Sequence, residues 1–395
     1  MSASTTAPTT APTMAPSVWS RLVGQRHVVD SLSRAVEGHG MTHAWLFTGP
    51  PGSGRSNAAL AFAAALQCPR GGCGDCHTCQ TALAGTHPDV SVTRTETSMH
   101  LIGDMRDLVL RAALIPAQGR WQVMVIEDAD RLGDSSARTG NALLKAIEEP
   151  TPRTVWLLCA PTLEDVSPTI RSRCRNLALT TPSAQEVTRF LVDNDGIPDS
   201  LAAFAARASQ GHIGRARALA RDEGTRNRRR EVVSLPGGLT TLGACLNAAA
   251  NLLDIAKDET LALTERVNSR ELTDLDVTYG DDRKARASRS YRAALKDLTH
   301  HQTQRERRRV MDVIDRSLMD IMSVYRDAIS VQVGAAGALV NEEMRAEVVD
   351  IARRSTPEDN LRRIDAVFSA RDQMMEFNAN REVTLEAMMI RLRIR

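Results

Sequence analysis

The sequence has few aromatic residues, no strong net charge and no long apolar run. Trp, Tyr and Phe make up 3% of the 395 residues, although 42% are hydrophobic. The cores must therefore be built mainly from aliphatic side chains and alanine, which suits many helices. The formal net charge is +2, which gives no global signal for nucleic-acid binding. No run of about 18 apolar residues is present, so no membrane span is predicted.

The first 16 residues lack both a positively charged start and an apolar core. Their sequence, MSASTTAPTTAPTMAP, is typical of a disordered tail rather than of a signal peptide. The chain also has an odd number of cysteines, seven. Together these features predict a cytoplasmic protein without disulfide bonds.

A glycine-rich loop, GPPGSGRS, occupies residues 49–56. It follows a short apolar strand predicted at Ala44–Thr48 and precedes an alanine-rich helix predicted at Asn57–Gln67. That is the context which a phosphate-binding loop requires. The glycines allow backbone N–H groups to face phosphate, and the helix dipole adds to the attraction. These glycines are Gly49, Gly52 and Gly54.

Arg55 stands where a phosphate-binding loop normally has lysine, and Ser56 follows it as a candidate magnesium ligand. A bulky planar guanidinium fits a crowded loop less well than a compact ammonium group does. We therefore expect phosphate binding that is weak or non-hydrolytic. The alternative is a loop kept only as a structural turn.

Two carboxylates, Glu127 and Asp128, follow a buried strand predicted at Val123–Ile126. Open α/β sheets bind their ligands at the carboxyl ends of the strands. These side chains are therefore candidate ligands for a nucleotide and its metal ion.

Four cysteines lie within twelve residues, spaced C-x4-C-x2-C-x2-C, at Cys68, Cys73, Cys76 and Cys79. Four thiolates with interleaved glycines can close a tetrahedral zinc site without an open coordination position, so a structural role is expected. Iron–sulfur ligation is the alternative. His77 and His87 are candidate substitute ligands, although the four cysteines suffice. The other cysteines are scattered and are expected to be small apolar core residues.

The chain resembles a known family over residues 140–175. A helix ending near Glu149 carries the string NALLKAIEEP, a buried strand is predicted at Thr154–Ala160, and TIRSRC follows at 169–174. These strings, in this order and spacing, resemble the clamp-loader branch of the AAA+ ATPases. That branch includes the gamma/tau and delta-prime subunits of bacterial DNA polymerase III and eukaryotic replication factor C.

The resemblance implies roles for several residues. In the family, Ser172-Arg173-Cys174 supplies an arginine finger to the ATP site of a neighbouring subunit, which makes Arg173 a catalytic residue in trans. The family usually has Asp then Glu where this chain has Glu127 then Asp128. In the family a polar residue that senses the terminal phosphate follows the strand at Leu157–Leu158, whereas this chain has Cys159, Ala160 and Pro161 there. Arg215 is a candidate for a second nucleotide-sensing arginine, and its alternative is a solvated helix charge.

The resemblance also implies the domain organisation. We expect a disordered tail at 1–16 and an α/β P-loop (AAA+) domain at 17–181 with a zinc module at 68–79. A small helical lid domain at 182–230 and an all-α collar domain at 231–395 should follow, with Arg226–Glu231 as a basic linker. Ser183 and Glu186 are predicted to form a capping box. The charged segment Ser269–Arg309 is expected to be an exposed helix or an extended loop.

The three departures in the nucleotide site are similar to those of delta-prime, the clamp-loader member that has lost its own ATPase. The resemblance then implies an assembly subunit, with gamma/tau and delta subunits as partners and the sliding clamp and primed DNA reached through the complex. The first alternative is an active ATPase of the gamma/tau type. The second is a standalone zinc-dependent nucleic-acid-binding protein, which the scarcity of aromatic residues disfavours.

Overall fold

The computed structural model describes residues 17–95, 102–132, 138–279, 288–375, 377 and 379–393. The tail predicted at 1–16 lies outside this range. Contacts divide the described residues into an α/β unit that runs to Glu186 and a helical unit that begins at Val187. Within the described part of the chain, no helix is both long and apolar enough to cross a membrane.

The α/β unit is built on one sheet of five parallel strands in the order β2-β3-β4-β1-β5. Their bounds are β1 Ala44–Thr48, β2 Val90–Thr93, β3 Gln122–Ile126, β4 Thr154–Ala160 and β5 Arg175–Ala178. Every residue of β1, β3 and β4 is buried, as expected for continuous apolar strands covered on both faces. The predicted strands at Ala44–Thr48 and Thr154–Ala160 are confirmed.

The α-helices in the described part of the α/β unit connect these strands and cover the sheet. They are α1 Arg26–Val36, α2 Arg55–Gln67, α3 His77–Leu83, α4 Ile102–Ala112, α5 Arg138–Glu148 and α6 Pro168–Arg171. The alanine-rich helix α2 packs on one face, where Phe62 meets the Trp45 ring edge-on at 5.2 Å. Side chains of α4 and α5 pack on the other face, against Met124 and Trp156. This arrangement brings the carboxyl ends of β1, β2 and β3 to one edge.

The helical unit contains the rest of the described chain. Its helices are α7 Ala184–Asp195, α8 Asp199–Ser209, α9 Ile213–Arg221, α10 Glu223–Gly238, α11 Leu242–Tyr279, α12 Arg289–Gln332, α13 Arg345–Arg353, α14 Pro357–Met375 and α15 Arg381–Leu392. The predicted capping box is confirmed, because the Ser183 backbone N–H donates to Glu186 Oε2 at 2.9 Å and the Glu186 N–H donates to Ser183 Oγ at 3.3 Å.

The basic linker expected at Arg226–Glu231 is wrong, because α10 runs through it. Arg229, only 5% exposed, donates from Nη1 to Glu343 Oε1 at 2.8 Å, and its Nε lies 3.4 Å from Asp320 Oδ1. The buried Asp320 and the half-buried Glu343 therefore hold the Arg229 side chain inside the helical unit. A separate lid at 182–230 and a collar at 231–395 remain predictions.

Candidate functional site

The glycine loop lies between β1 and α2 in a conformation that glycine favours. Gly52 and Gly54 have φ values of +86° and +94°, and Gly54 caps the amino end of α2. At Gly49 an added Cβ would lie 2.6 Å from the Leu179 carbonyl oxygen and 2.8 Å from Ser53 Oγ. Glycine is therefore required at position 49 for close packing and at position 54 for backbone conformation. The predicted strand, loop and helix are confirmed as local structure.

A buried glutamine, which sequence reasoning missed, holds this loop from behind. Gln25 is 1% exposed, and its Nε2 donates to the Thr180 carbonyl at 2.6 Å and to the Ser53 carbonyl at 3.4 Å. The Thr180 N–H donates back to Gln25 Oε1 at 3.2 Å. The loop is thus tied to the chain beyond β5. In the sequence, Gln25 is marked only as a polar residue directly before the amphipathic helix α1, which does not indicate its burial.

Arg55 begins α2 and extends into partly buried surroundings. Its Nη1 is buried and has no hydrogen-bond partner among the described residues. Burial raises the pKa of the Asp130 carboxyl, Asp128 adds to that rise, and the charges of Arg131 and Arg55 oppose it. The guanidinium of Arg55 is therefore close enough to the acidic end of β3 to affect its ionisation.

Glu127, at the end of β3, is paired with an arginine that sequence reasoning missed. Its side chain is 7% exposed, and Oε2 accepts a charge-assisted hydrogen bond from Nε of Arg94, which is 60% exposed. The neighbouring strands set up the pair, because β2 and β3 align Thr93 with Ile126 and the Glu127 N–H donates to the Thr93 carbonyl at 3.0 Å. The sequence does place Arg94 directly after a short run of residues that favour a strand. That this strand lies beside β3, however, depends on the strand order.

The nucleotide-like site is consequently close to charge neutrality. Three carboxylates, Glu127, Asp128 and Asp130, share this sheet edge with three arginines of the same chain: Arg55, Arg94 and Arg131. Burial raises the pKa of the neighbouring Cys159 thiol, and the negative charge of Glu127 raises it further. In a working nucleotide site a bound cation and a lysine balance such acids. Here arginines contribute positive charge at the same edge.

The four predicted cysteines come together in one cluster at the carboxyl end of α2. All four Sγ atoms lie within 4.8 Å of one another, with separations of 3.6 Å for Cys68–Cys73, 3.8 Å for Cys68–Cys76 and 4.0 Å for Cys73–Cys79. A tetrahedron with Zn–S bonds of about 2.3 Å requires S···S separations of about 3.8 Å. The cysteines therefore fit a zinc ion, and the separations are too long for disulfides.

The chain around these sulfurs forms a compact turn, here named the cysteine knuckle (residues 68–79). Gly72 has a φ of +104°, and its carbonyl accepts the Val18 N–H at 3.1 Å, which attaches the knuckle to the start of the unit. Burial opposes ionisation of Cys68, but backbone N–H groups, that of Cys73 first, lower its pKa to about 6. Thiolate is the form that binds a metal.

His77 and His87, the candidate substitute ligands, are not part of the metal-ligating group found among the described residues. His87 is 6% exposed, and its Nδ1 accepts the Asp89 backbone N–H at 3.1 Å. Asp89 in turn accepts backbone N–H groups of the loop before β3, from Ala117, Gln118 and Gly119. His87 therefore belongs to the entry of β2, and the donor set consists of four sulfurs.

Arg173 lies just after α6, at the surface of the α/β unit. Its side chain is 36% exposed, and Nη2 lies 2.6 Å from Glu148 Oε1 at the end of α5. Nη1 donates to the Thr169 carbonyl at 2.7 Å. The flanking Arg175 is exposed but held by other partners, since it donates to the Gly40 carbonyl at 2.7 Å and stacks over Trp45 at 4.9 Å. The two arginines therefore differ in their partners and not in burial, since Arg175 is the more exposed residue of the two.

Arg215, the other candidate arginine, is engaged within the helical unit. Its side chain is 10% exposed and forms an ion pair with Asp320, whose side chain is 4% exposed. Burial lowers the pKa of this guanidinium, and the charge of Asp320 opposes that effect. The alternative of a solvated helix charge at Arg215 is therefore wrong, since the side chain is buried and paired.

Comparison with known proteins places these features in a family. A family model described as "DNA polymerase III, delta subunit" matches residues 24–183, and one described as "DNA polymerase III, delta subunit, C terminal" matches residues 312–393. The delta' subunit of Pseudomonas aeruginosa is 38% identical over 155 residues, which is 38% of this chain and 46% of that protein.

The gamma/tau subunit of Mycobacterium tuberculosis is 33% identical over 160 residues, 39% of this chain and 27% of that protein. This chain thus spans less than half the length of the curated relatives it matches. A crystal structure of a gamma subunit-related protein from Thermotoga maritima aligns over 93% of this chain and 99% of that one, with a TM-score of 0.45 and 14% identity.

Proposed function

We propose that this member of the DNA polymerase III clamp-loader family is a delta-prime-like subunit. In this role it assists ATP-driven loading of the sliding clamp onto primed DNA without hydrolysing ATP at its own site. Its partners are gamma/tau and delta subunits, and it works in the cytoplasm. The helical unit then contributes a lid and a collar that assembles with the other subunits.

The observation that carries this proposal is the Arg94–Glu127 ion pair. A carboxylate that already accepts a charge-assisted hydrogen bond is a poorer ligand for magnesium. Arg55 replaces the lysine that would reach the terminal phosphates. Both changes disfavour turnover while leaving the loop and the sheet intact. ATP binding at this site is therefore expected to be weak or non-hydrolytic.

A structural zinc ion completes the proposal for the α/β unit. The four sulfurs of the cysteine knuckle would hold it, and a fully ligated ion has no open position for catalysis. The zinc ion would therefore stabilise the polypeptide between α2 and α3 and take no part in ATP chemistry.

Arg173 is proposed to act in trans at a neighbouring subunit's ATP site. A guanidinium placed from outside stabilises the charge that develops on the transferred phosphoryl group. Glu148 would have to release the side chain first. A surface ion pair contributes only about 0–1 kcal/mol, so that release is inexpensive. The partial exposure of Arg173 and its ion pair with a surface carboxylate both support the proposed role.

The test is reconstitution of the complete clamp loader with the Arg173→Ala chain. We expect normal assembly with partly reduced DNA-stimulated ATP hydrolysis and clamp loading, since only one neighbouring site depends on this chain. Arg171→Ala, in the same basic string, is the matched control and should leave both rates unchanged. Glu148→Gln should preserve or raise them, because it frees Arg173. Unchanged rates with Arg173→Ala would reduce this residue to a surface arginine.

The gamma/tau-type alternative predicts a different result for the isolated chain. An active ATPase would hydrolyse ATP alone and lose that activity in Glu127→Ala. The delta-prime proposal predicts no turnover above background in either protein. Phosphate release by the purified full chain, with and without magnesium, separates the two functions.

A further inference from the structure

Helices α11 and α12 extend beyond the hydrophobic core of the helical unit. The core includes α11 as far as Ala256 and α12 from Val310 onward. The segments between these points, residues 257–279 and 288–309, are here named the arm. The matches to the family models end at residue 183 and resume at 312, so the arm lies outside both.

Polar contacts join the two helices of the arm in antiparallel order. Asn268 donates to Glu306 at 2.9 Å, Arg305 lies 2.7 Å from Glu271, and the Tyr291 hydroxyl donates to Asp276 at 2.7 Å. Tyr279 and Tyr291 also meet edge-on at 6.0 Å. The inner face of the arm is thus occupied, and its outer faces are exposed to solvent.

Charge is divided unequally between the two helices. Residues 289–309 of α12 include seven Arg or Lys and two acidic residues, a net charge of +5. Residues 257–279 of α11 include three basic and six acidic residues, a net charge of −3. A chain of nearly zero net charge therefore concentrates positive charge on one helix of one substructure.

Part of this charge forms a single exposed row, here named the basic stripe. It consists of Arg289, Arg292, Lys296, His300 and Arg307, all of which are exposed. Their spacing of three, four, four and seven residues repeats on one helix face. The stripe extends over 19 residues, and the rise from Arg289 to Arg307 is about 27 Å of helix. It begins at the amino end of α12, where the helix dipole also favours anions.

We propose that the basic stripe binds the phosphate backbone of duplex DNA without regard to sequence. The large exposed hydrophobic residues of the described arm all belong to α11 (Leu261, Leu263, Val267, Leu272, Val277 and Tyr279), and none lies on α12 between residues 289 and 309. Protein interfaces have apolar, charge-depleted centres, so the charged surface of α12 is unlike one. Guanidinium groups on a straight helix suit the regularly spaced phosphates of a rigid duplex. The choice of DNA over RNA rests on the proposed function; the charge pattern alone selects a phosphate backbone.

The test uses the full-length chain alone, with fluorescence anisotropy of a labelled duplex DNA at several salt concentrations. The stripe variant is Arg289→Gln/Arg292→Gln/Lys296→Gln. We expect roughly tenfold weaker binding at low salt and a log–log salt slope smaller by about 2.7, as expected for loss of three phosphate contacts. Circular dichroism should show that the helical content and the melting temperature are retained.

The matched control, Lys257→Gln/Arg266→Gln/Arg270→Gln, removes the same number of positive charges from α11 of the same arm. It should change the Kd by less than about threefold and leave the salt slope unchanged. Equal losses in both variants, or absence of duplex binding by the parent chain at low salt, would overturn the proposal. Preference for poly-glutamate over duplex DNA would instead assign an acidic protein partner. Failure of clamp-loader activity would not affect these measurements, since no other subunit is present.

Discussion

The glycine loop and the cysteine knuckle lie at opposite ends of α2, and they differ in how much of their chemistry is present. The knuckle has a complete set of four sulfur donors at separations that suit zinc. The loop has the positive-φ glycines predicted for a phosphate site, but Arg55 stands in place of the expected lysine and Glu127 is paired with Arg94. The difference shows that a backbone with the conformation of a glycine loop can be combined with side chains that are paired among themselves.

Of the substitutions in the loop and the knuckle, removal of the zinc ligands should have the largest effect on stability. Structural zinc contributes an apparent binding free energy of order 10–16 kcal/mol in small zinc-finger peptides. Cys73→Ser/Cys76→Ser should therefore abolish metal binding, lower the melting temperature and expose amides of α3 to hydrogen exchange. Metal analysis should give about one zinc per parent chain.

Cys174→Ser is the control for that experiment, because Cys174 lies outside the metal-ligating group. It should retain the zinc. A metal-free double variant with unchanged thermal stability would contradict a structural role for the knuckle.

Substituting a loop glycine should have an intermediate effect that is independent of ATP turnover. Gly49→Ala places a Cβ 2.6 Å from the Leu179 carbonyl oxygen, and we expect a loss of about 2–3 kcal/mol of unfolding free energy from overpacking. Gly54→Ala meets no atom within 4 Å and has only its φ of +94° to oppose it, so about 1 kcal/mol is expected.

Urea unfolding of the two alanine variants measures this difference. If Gly54→Ala lost as much unfolding free energy as Gly49→Ala, the close approach of the loop to Leu179 would not explain why position 49 requires glycine. If both were neutral, the loop backbone would not constrain the α/β unit at all.

Breaking the Arg94–Glu127 pair should have the smallest effect on stability. Arg94 is 60% exposed and Glu127 7% exposed, so the pair is only half removed from water. We expect a coupling energy of about 1 kcal/mol in a double-mutant cycle of Arg94→Ala and Glu127→Gln, measured by urea unfolding. A coupling energy near zero would leave Glu127 available to a metal ion and weaken the argument against ATP turnover.

Local sequence was enough to predict the features that depend on neighbouring residues. The buried strands at Ala44–Thr48 and Thr154–Ala160, the glycine loop and the Ser183–Glu186 capping box follow from short-range pattern and spacing. The four cysteines lie within twelve residues, so a short turn was enough to bring their sulfurs together. Each of these predictions depends only on residues that lie close together in the sequence.

Contacts between residues that are remote in sequence could not be predicted and were seen only in the folded structure. Arg94 meets Glu127 because β2 lies beside β3, and no local pattern specifies strand order. Arg226–Glu231 looked like a solvated linker, but α10 buries Arg229 against Asp320 and Glu343, which are remote in sequence. Charge composition could not separate Arg173 from Arg175, since packing against Trp45 engages only the latter. Sequence therefore determines the local chemistry, and long-range packing determines which charges are paired and which remain at the surface, because pairing depends on three-dimensional distance.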